Sequence, residues 1–362
     1  YRATWSIETI PDFALRFGVD GSSSDLSISL NLPQRPTEGE NPPPLGTVEF
    51  DDLTQEIWLH SPGVFLETVW SPVEGLELIP GVRGDYYSEI REYTVDPRFR
   101  FRYGLRPGSL IKGGVGYYQQ RPGFDQSADD ENRGNPDLLP FRSMQYSLGA
   151  EQQLGELLDL DITGFYKNLD RVVVRNTASY LDEDALPYIN EGVGRIYGVE
   201  VLLKLRTAAD YFGWIAYTYQ RSLRTDHPDE DERPFKFDQP HILTTLGTYR
   251  IGGGYSAGFR FRLVSGNPDT PVIGSVYDTA SNAFVPTYGD TNSSRLPLFH
   301  QLDLRVDRLW TYDTWRLTVY LDVQNVYLSA NQEGWRYNYD FSDRTALTGI
   351  PIFPIIGAKG EW

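Results

Sequence analysis

The chain has 362 residues, a formal net charge of -17, no cysteine, and aromatic residues at 14% of its positions. The absence of cysteine excludes disulfides, thiolate metal sites and cysteine nucleophiles. The acidic balance argues against nucleic-acid binding, which needs a basic surface. No apolar run approaches the ~20 residues of a membrane-spanning helix, whereas a spanning strand needs only about 9–11 residues with one apolar face.

Apolar and polar side chains alternate along many segments of the chain, and this period of two predicts strands with unlike faces. In chain order the clearest segments are Leu26–Leu30, Phe99–Leu105, Leu158–Ile162, Val199–Leu205, Tyr255–Leu263, Leu302–Val306 and Trp315–Val323. The polar faces carry charges of both signs, which suits the wet lumen of a barrel better than the surface of a soluble sandwich. We count about fifteen or sixteen strands in one unit.

Short and long connections alternate between these strands. Short turns are predicted near Ser71–Glu74, Arg106–Gly108, Gly155–Glu156, Thr207–Tyr211, Gly252–Gly254 and Thr311–Asp313. Long connections are predicted near Pro33–Gly46, Arg121–Arg142, Leu169–Val193, Arg224–Lys236, Gly266–Leu296 and Leu328–Ile352, and the tract near Ser88–Val95 fits the long set least well. Outer-membrane barrels alternate in this way, with tight periplasmic turns and long external loops. The sequence therefore predicts an all-β, transmembrane, antiparallel up-and-down barrel.

Several short motifs occur in a characteristic order. They are Asn135–Pro140 followed by Tyr146–Glu151, then Gly194–Glu200, Phe237–His241, Leu321–Val326 and a terminal aromatic residue, Trp362. In this order and spacing the chain resembles the C-terminal part of the barrel of TonB-dependent outer-membrane receptors.

The resemblance implies a Gram-negative outer-membrane protein whose full-length form has a twenty-two-stranded barrel and an N-terminal plug. No plug sequence is recognised, so residues 1–362 are expected to be the C-terminal portion of such a barrel. The start at Tyr1, without an initiator methionine, favours a processed or truncated chain. The implied function is uptake of a scarce ligand (a siderophore, cobalamin, a glycan or a peptide) with energy from TonB. The implied partners are outer-membrane lipid, TonB through the missing plug, and the barrel-assembly machinery.

Regularly spaced arginines are the first candidate ligand contacts. Arg100 and Arg102 follow Arg98 at every second position, and Arg260 and Arg262 repeat this spacing. Guanidinium groups in a row on one face could bind an anionic ligand through paired hydrogen bonds. The alternative is pairing with acidic side chains of the lumen or the plug. Tyr117, at a strand end beside Tyr118, could line an external vestibule or belong to the aromatic girdle at the membrane interface.

Acidic loops are the second candidate. Asp229 and Asp231 belong to one cluster, and Asp129, Asp130 and Glu131 form another. Closely spaced carboxylates can bind a divalent ion through oxygen, although no EF-hand spacing is present. The alternative is a solvated external loop.

The last strand gives a third candidate. Trp362 shares a strand face with Ile356, Ala358 and Gly360. An aromatic residue there can anchor at the membrane interface, and the resemblance implies a signal read during barrel assembly.

No catalytic motif was found, so the sequence predicts neither an enzyme nor a cofactor. The four histidines lie far apart and predict no metal site. A passive sixteen-stranded porin and, less favoured, a soluble all-β carbohydrate-binding domain remain as alternative functions.

Overall fold

The computed structural model describes residues 1–10, 12–32, 51–124, 126–127, 134–180, 185–208, 210–279 and 282–362. The predictions for Pro33–Gly46 and for Asp129, Asp130 and Glu131 lie outside these ranges. Within them, helical structure is confined to a 3-10 turn at Thr177–Tyr180. No helix in the described ranges has the length and apolar character to cross a membrane.

Fifteen strands follow one another across a single antiparallel sheet, which we call the wall. Numbered in chain order, they are β1 (Arg2–Ile10), β2 (Phe13–Leu32), β3 (Asp51–Val73), β4 (Leu76–Tyr87), β5 (Glu92–Arg106), β6 (Ser109–Gln120), β7 (Phe141–Leu154), β8 (Leu158–Arg175), β9 (Tyr188–Ala208), β10 (Tyr211–Thr225), β12 (His241–Gly252), β13 (Tyr255–Val264), β18 (Phe299–Thr311), β19 (Arg316–Gln324) and β22 (Phe353–Glu361). A two-residue strand, β11 (Arg233–Pro234), pairs with β10 and completes a sixteen-stranded sheet. The predicted strand count is confirmed.

Three small two-stranded sheets, two of them hairpins, lie on the long connections. The β13–β18 connection contains β14 (Pro268–Asp269) paired with β17 (Ser294–Arg295), and β15 (Val272–Asp278) paired with β16 (Ala283–Tyr288). The β19–β22 connection contains β20 (Gln332–Tyr337) paired with β21 (Arg344–Thr348). These connections therefore have ordered structure of their own.

The connections distinguish the two ends of the wall. We call the end at which short turns join the strands the turn rim, and the end with the long connections the loop rim. All the predicted short turns join strands at the turn rim, and Gly252, Gly253 and Gly254 have the positive φ that such a tight reversal requires. At the loop rim, β8 and β9 pair beyond the predicted boundary, as far as Arg175 opposite Tyr188, so that connection is shorter than the polarity of its residues indicated. The tract after Tyr87 is a four-residue turn rather than a long loop.

The two faces of the wall differ as the alternation predicts. The outward face exposes large apolar side chains, such as Val64 at 58%, Leu148 at 62% and Ile356 at 79%. The buried apolar side chains of the described residues are few: Leu59, Ile90, Leu138, Val172, Val174 and Tyr188. A wall with so little interior and so much exposed apolar surface needs an apolar medium around it.

The wall has two outer edges within the described residues. There, β1 pairs with β2 alone and β22 pairs with β19 alone. A barrel has no such edges, because its first and last strands pair. The described strands therefore form an open, curved part of a barrel wall.

Candidate functional site

Alternation places the predicted arginines on the inward, polar face of the wall. On β13, Arg260 and Arg262 lie opposite Asp303 and Gln301 of β18, whereas Phe259 lies opposite Leu304 on the outward face. The register thus separates a charged lumen from a lipid-facing surface along the same two strands.

Arg260 has a carboxylate partner in the wall itself. Its Nε and second terminal nitrogen donate to Asp303 Oδ2 at 2.9 and 2.6 Å. Asp303 is buried and also accepts hydrogen bonds from Gln301 Nε2 at 2.6 Å and from the Asn325 backbone N–H at 3.0 Å. The Arg262 guanidinium lies 5.3 Å from the centre of the Phe299 ring. Arg260 is therefore held in a structural network, and the ligand-binding role of both arginines stays a prediction.

Arg100 and Arg102 line an open cavity of about 670 Å³ in the lumen wall. The cavity is also lined by Lys112, Lys167 and Tyr118. Arg100 forms an ion pair with Glu67 of β3. Lys112 donates to Glu151 at 2.8 Å and to Asp161 at 2.5 Å. Arg102 is exposed and has no ion pair within 4.0 Å in the described part of the chain. Of the two arginines predicted from the sequence, Arg100 is therefore ion-paired and Arg102 has no ion pair among the described residues.

A second lumen network connects side chains of β1, β2 and β4 across the intervening β3. Arg83 donates to Asp20 at 2.7 Å and to Asp85 at 2.6 Å, and Arg2 adds a hydrogen bond to Asp20 at 3.2 Å. Gly63 lies between Asp20 and Asp85 in the register. A Cβ atom on Gly63 would collide with Asp85 and lie 2.5 Å from Arg83. Glycine therefore leaves the space that this ion cluster occupies.

Tyr117 and Tyr118 point to opposite faces of β6. Tyr117 lies opposite Met144, in the row that contains Val115 and Tyr146 on the outward face. Tyr118 lines the lumen cavity, with the Arg98 guanidinium 5.6 Å from its ring centre. Tyr117 therefore lies on the outward face, where the aromatic girdle at the membrane interface would be. Its ligand-binding role stays a prediction. Sequence reasoning named Tyr118 beside Tyr117 without separating their faces, although the period of two places Tyr118 on the same face as Arg100 and Arg102.

The acidic loop after β10 is solvated. Asp229 and Asp231 are exposed, while their neighbours Asp226 and Glu232 pair with Arg233 and Arg195. In the described ranges, no three carboxylate or imidazole side chains converge as a metal site would require. The divalent-ion role of Asp229 and Asp231 stays a prediction.

Trp362 follows β22 at the turn rim and is 99% exposed. The register places Gly360 and Ala358 of its strand face opposite Leu317 and Val319 on the outward side of the wall. Its predicted role in barrel assembly is compatible with this place and stays a prediction.

The motifs Asn135–Pro140, Phe237–His241 and Leu321–Val326 share one function in the fold, because each fastens a long loop at the loop rim. Asn135 donates to the Tyr188 carbonyl at 2.7 Å. Asn325 has φ of 52° and donates to the Ser329 carbonyl at 2.9 Å, while its own side-chain oxygen accepts from the Ser329 N–H. Asparagine tolerates this left-handed backbone better than most residues.

Asp238 is the most deeply buried of these anchors, with no exposed surface. It accepts hydrogen bonds from the Ser222 N–H at 2.6 Å, from Arg221 at 3.3 Å and from Arg295 at 2.7 Å. Arg295 also donates to the Gly266 carbonyl at 2.8 Å. Two long loops and the end of β10 therefore meet on one carboxylate. Sequence reasoning found the motif but missed this role, since only tertiary structure brings residues 222, 238 and 295 together.

The two C-terminal long connections also touch one another. Ser275 donates to the Asp340 carbonyl at 2.6 Å, and the Phe284 and Tyr339 rings lie 5.9 Å apart, edge to face. Asp269 of β14 is partly buried beneath these hairpins, and this burial raises the pKa of its carboxyl group. The loops thus form a joined outer structure above the lumen.

Comparison with known proteins agrees with this architecture. The family model "TonB dependent receptor-like, beta-barrel" matches residues 2–326. The chain belongs to this family. Its members are outer-membrane proteins of Gram-negative bacteria, so this chain is an outer-membrane β-barrel protein. This membership and the exposed apolar face exclude the soluble alternative.

Solved structures of outer-membrane transporters share the fold. The transporter YddB from Escherichia coli matches with a TM-score of 0.70 and 14% identity, over 99% of this chain and 53% of its own. The FrpB iron transporter from Neisseria meningitidis matches with a TM-score of 0.65 and 14% identity, over 99% and 53%. The ferric enterobactin receptor PfeA from Pseudomonas aeruginosa matches with a TM-score of 0.65 and 13% identity, over 99% and 52%. The chain thus spans about half the length of these relatives. A search of curated protein sequences gives no match.

Proposed function

We propose that this chain supplies the wall and the external loops of a receptor that takes up a scarce ligand with energy from TonB. The observation that carries the proposal is the joined set of loops above a charged lumen. Asp238 and Asn325 fasten loops at the rim, and the hairpins of two loops contact one another. Ordered external loops suit selective capture better than an open pore, and the family consists of TonB-dependent receptors.

Within this function we propose a negatively charged ligand, such as a ferric siderophore. The support is the lumen cavity of about 670 Å³, whose lining includes the exposed Arg102 together with Lys167 and Tyr118. Guanidinium and ammonium groups recognise carboxylate and catecholate oxygen atoms through charge-assisted hydrogen bonds. Two structural neighbours are an iron transporter and a ferric enterobactin receptor. Cobalamin, a glycan or a peptide remain the alternative ligands.

The first test is uptake of labelled ferric siderophores by cells that express the full-length protein. We expect uptake that disappears in a TonB-deficient strain and falls about tenfold in Arg102→Gln, the loss expected for one charge-assisted hydrogen bond. Arg316→Gln is the matched control, because Arg316 faces the lumen at the turn rim, outside the cavity. Equal uptake with and without TonB would contradict the energy-coupled function. TonB-dependent uptake that both variants retain would contradict only the cavity as ligand site.

The passive porin is the second candidate function. Closing the fifteen strands of the wall into a pore would require β1 and β22 to pair, whereas each has one partner in the described residues. Planar-bilayer recordings of the native protein separate the two functions. A gated receptor should stay closed without TonB, and steady conductance steps would favour the porin.

We propose that the full-length protein also contains a plug and further wall strands. The support is that this chain covers 47–55% of the transporters that share its fold. The intact mass of the native protein from the outer membrane tests this. A mass well above 41.2 kDa is expected, and a mass of 41.2 kDa would contradict the proposal.

We propose, last, that the barrel-assembly machinery recognises the β22 end at Trp362, in line with its exposed position. Trp362→Ala should lower the amount of heat-resistant barrel in the membrane, while Trp310→Ala, another rim aromatic, should lower it less. Equal amounts in both variants would contradict a specific role.

A further inference from the structure

The lipid-facing surface of the wall contains a groove near the turn rim. It has a volume of about 590 Å³, and apolar atoms form most of its lining. Its floor includes small residues on the outward face, Gly213, Gly247 and Ala257, and the Phe259 ring lies over Gly247. Its sides are Leu203, Leu205, Ile215, Phe259 and Leu304. Large apolar side chains thus surround a cluster of three small residues.

The groove runs across β8, β9, β10, β12, β13 and β18. The groove lies on the face that contacts lipid. The acyl chain of a membrane lipid is therefore the group available to fill it. Burial of methylene groups against leucine and phenylalanine side chains would hold the chain there.

A cation, Arg308, lies just beyond one end of the groove lining. Arg308 lies opposite Tyr255 on the outward face, one pair beyond Val306 and Ala257, which is about 7 Å along the strand. Its guanidinium is 4.7 Å from the Tyr255 ring centre and 4.6 Å from the Trp310 ring centre. This aromatic contact holds the charge in place.

Arg308 has no anionic partner in the described part of the chain. No carboxylate lies within 4.0 Å of it there, and its buried Nε has no hydrogen-bond acceptor. The neighbouring arginine on β18, Arg305, instead pairs with Asp307 in the lumen at 2.6 Å. An arginine on a lipid-facing surface that is left without an acceptor can receive a phosphate group through several N–H donors.

We infer that this surface is a binding site for one phospholipid of the periplasmic leaflet. The acyl chain lies in the groove, and the headgroup phosphate accepts hydrogen bonds from Arg308. The polarity of the site fits this leaflet, because Arg308 lies at the turn rim and the groove extends from it toward the middle of the wall. The stacked Tyr211 and Tyr249 rings, 4.7 Å apart, stand at the same rim and mark the level of the headgroups.

The test is native mass spectrometry of the full-length protein in detergent, titrated with phosphatidylglycerol. We expect one tightly retained lipid in the wild-type protein. Arg308→Gln should weaken retention about tenfold through loss of the charged hydrogen bonds. Ala257→Phe should weaken it at least as much, because its ring fills the groove.

Matched controls make the same changes elsewhere. Arg316→Gln removes a charge at the same rim but on the lumen face, and Leu321→Phe enlarges an outward side chain outside the groove. Both should retain the lipid as the wild type does. A melting temperature for each variant shows whether it is folded.

A phospholipid with a photoreactive group in its acyl chain gives a second measurement that needs no variant. Crosslinks should fall on β10, β12 and β13. Crosslinks spread evenly over the outward face, equal retention by Arg308→Gln and wild type, or displacement by glycerol phosphate without acyl chains would each overturn the inference. Preferential retention of lipopolysaccharide, which occupies the outer leaflet, would also overturn it.

Discussion

The loop rim and the lumen wall hold their charges in opposite ways. At the loop rim, Asp238 is fully buried and bound by two arginines and a backbone N–H. In the lumen wall, Lys112, Glu151 and Asp161 keep between 28% and 42% of their side-chain surface exposed. Loss of a buried partner leaves an uncompensated charge, whereas water replaces a lost partner at an exposed pair. The rim therefore depends on single residues such as Asp238, and the exposed Lys112 cluster does not. The buried Asp303 of the lumen wall resembles Asp238 in this respect.

The largest effect is expected from Asp238→Ala, the substitution that tests the rim side of this comparison. It removes the acceptor shared by Arg221, Arg295 and Ser222 and should cost about 3 kcal/mol of stability at the rim. Hydrogen exchange should become faster in residues 226–240 and 265–298. Asp229→Ala removes an exposed carboxylate of the same loop and should leave exchange unchanged. Equal exchange in both variants would remove the distinction between buried and exposed carboxylates.

A smaller effect is expected from Gly63→Ala, which tests whether the wall has any position as sensitive as the rim. The added methyl group collides with the ends of the Asp85 and Arg83 side chains. These ends can move aside only by weakening their ion pairs, so the loss should lie near the lower limit of the about 1–3 kcal/mol of overpacking. Thermal unfolding of the membrane protein in detergent measures the change. Gly84→Ala is the control on the next strand, since the atoms nearest to its Cβ are 3.6 and 3.8 Å away. A loss equal to that of the control would show that the ion cluster adapts freely.

A still smaller effect is expected from Glu151→Gln in the lumen wall. Lys112 keeps Asp161 as its partner, so the loss should stay below about 1 kcal/mol and shrink further in high salt. Unfolding at low and high ionic strength checks this. A loss as large as that of Asp238→Ala would mean that the wall also depends on single ion pairs.

The smallest effect is expected from pH, acting on the joined hairpins at Asp269. Burial raises the pKa of this carboxyl group above its ordinary value near 3.8. The folded loop therefore binds the proton more tightly than the unfolded loop, so stability grows as pH falls through the raised pKa and is lost as pH rises through it. The protection factors of Ser294 and Arg295, which are corrected for the intrinsic pH dependence of amide exchange, should rise as pH falls through that window. Asp269→Asn should abolish the dependence, and an unchanged profile in that variant would assign it to another group.

The sequence determined the strands of the wall. Every second residue of a strand lies on the same face, and the face in contact with lipid needs apolar side chains whereas the face in contact with water accepts polar ones. Alternation along Tyr255–Leu263 was sufficient to predict β13, its inward arginines and its outward phenylalanines. The turns were equally local, since Gly252–Gly254 can reverse the chain without help from other strands.

Only the tertiary structure decided which charges are paired and where. Arg100 and Arg102 have the same spacing and chemistry, yet Glu67 of a distant strand reaches the first and no carboxylate of the described residues pairs with the second. The burial of Asp238 and the groove beside Arg308 likewise arise from residues far apart in the chain. Alternation fixes the face on which a side chain lies, but the register of neighbouring strands and the paths of the loops choose its partner.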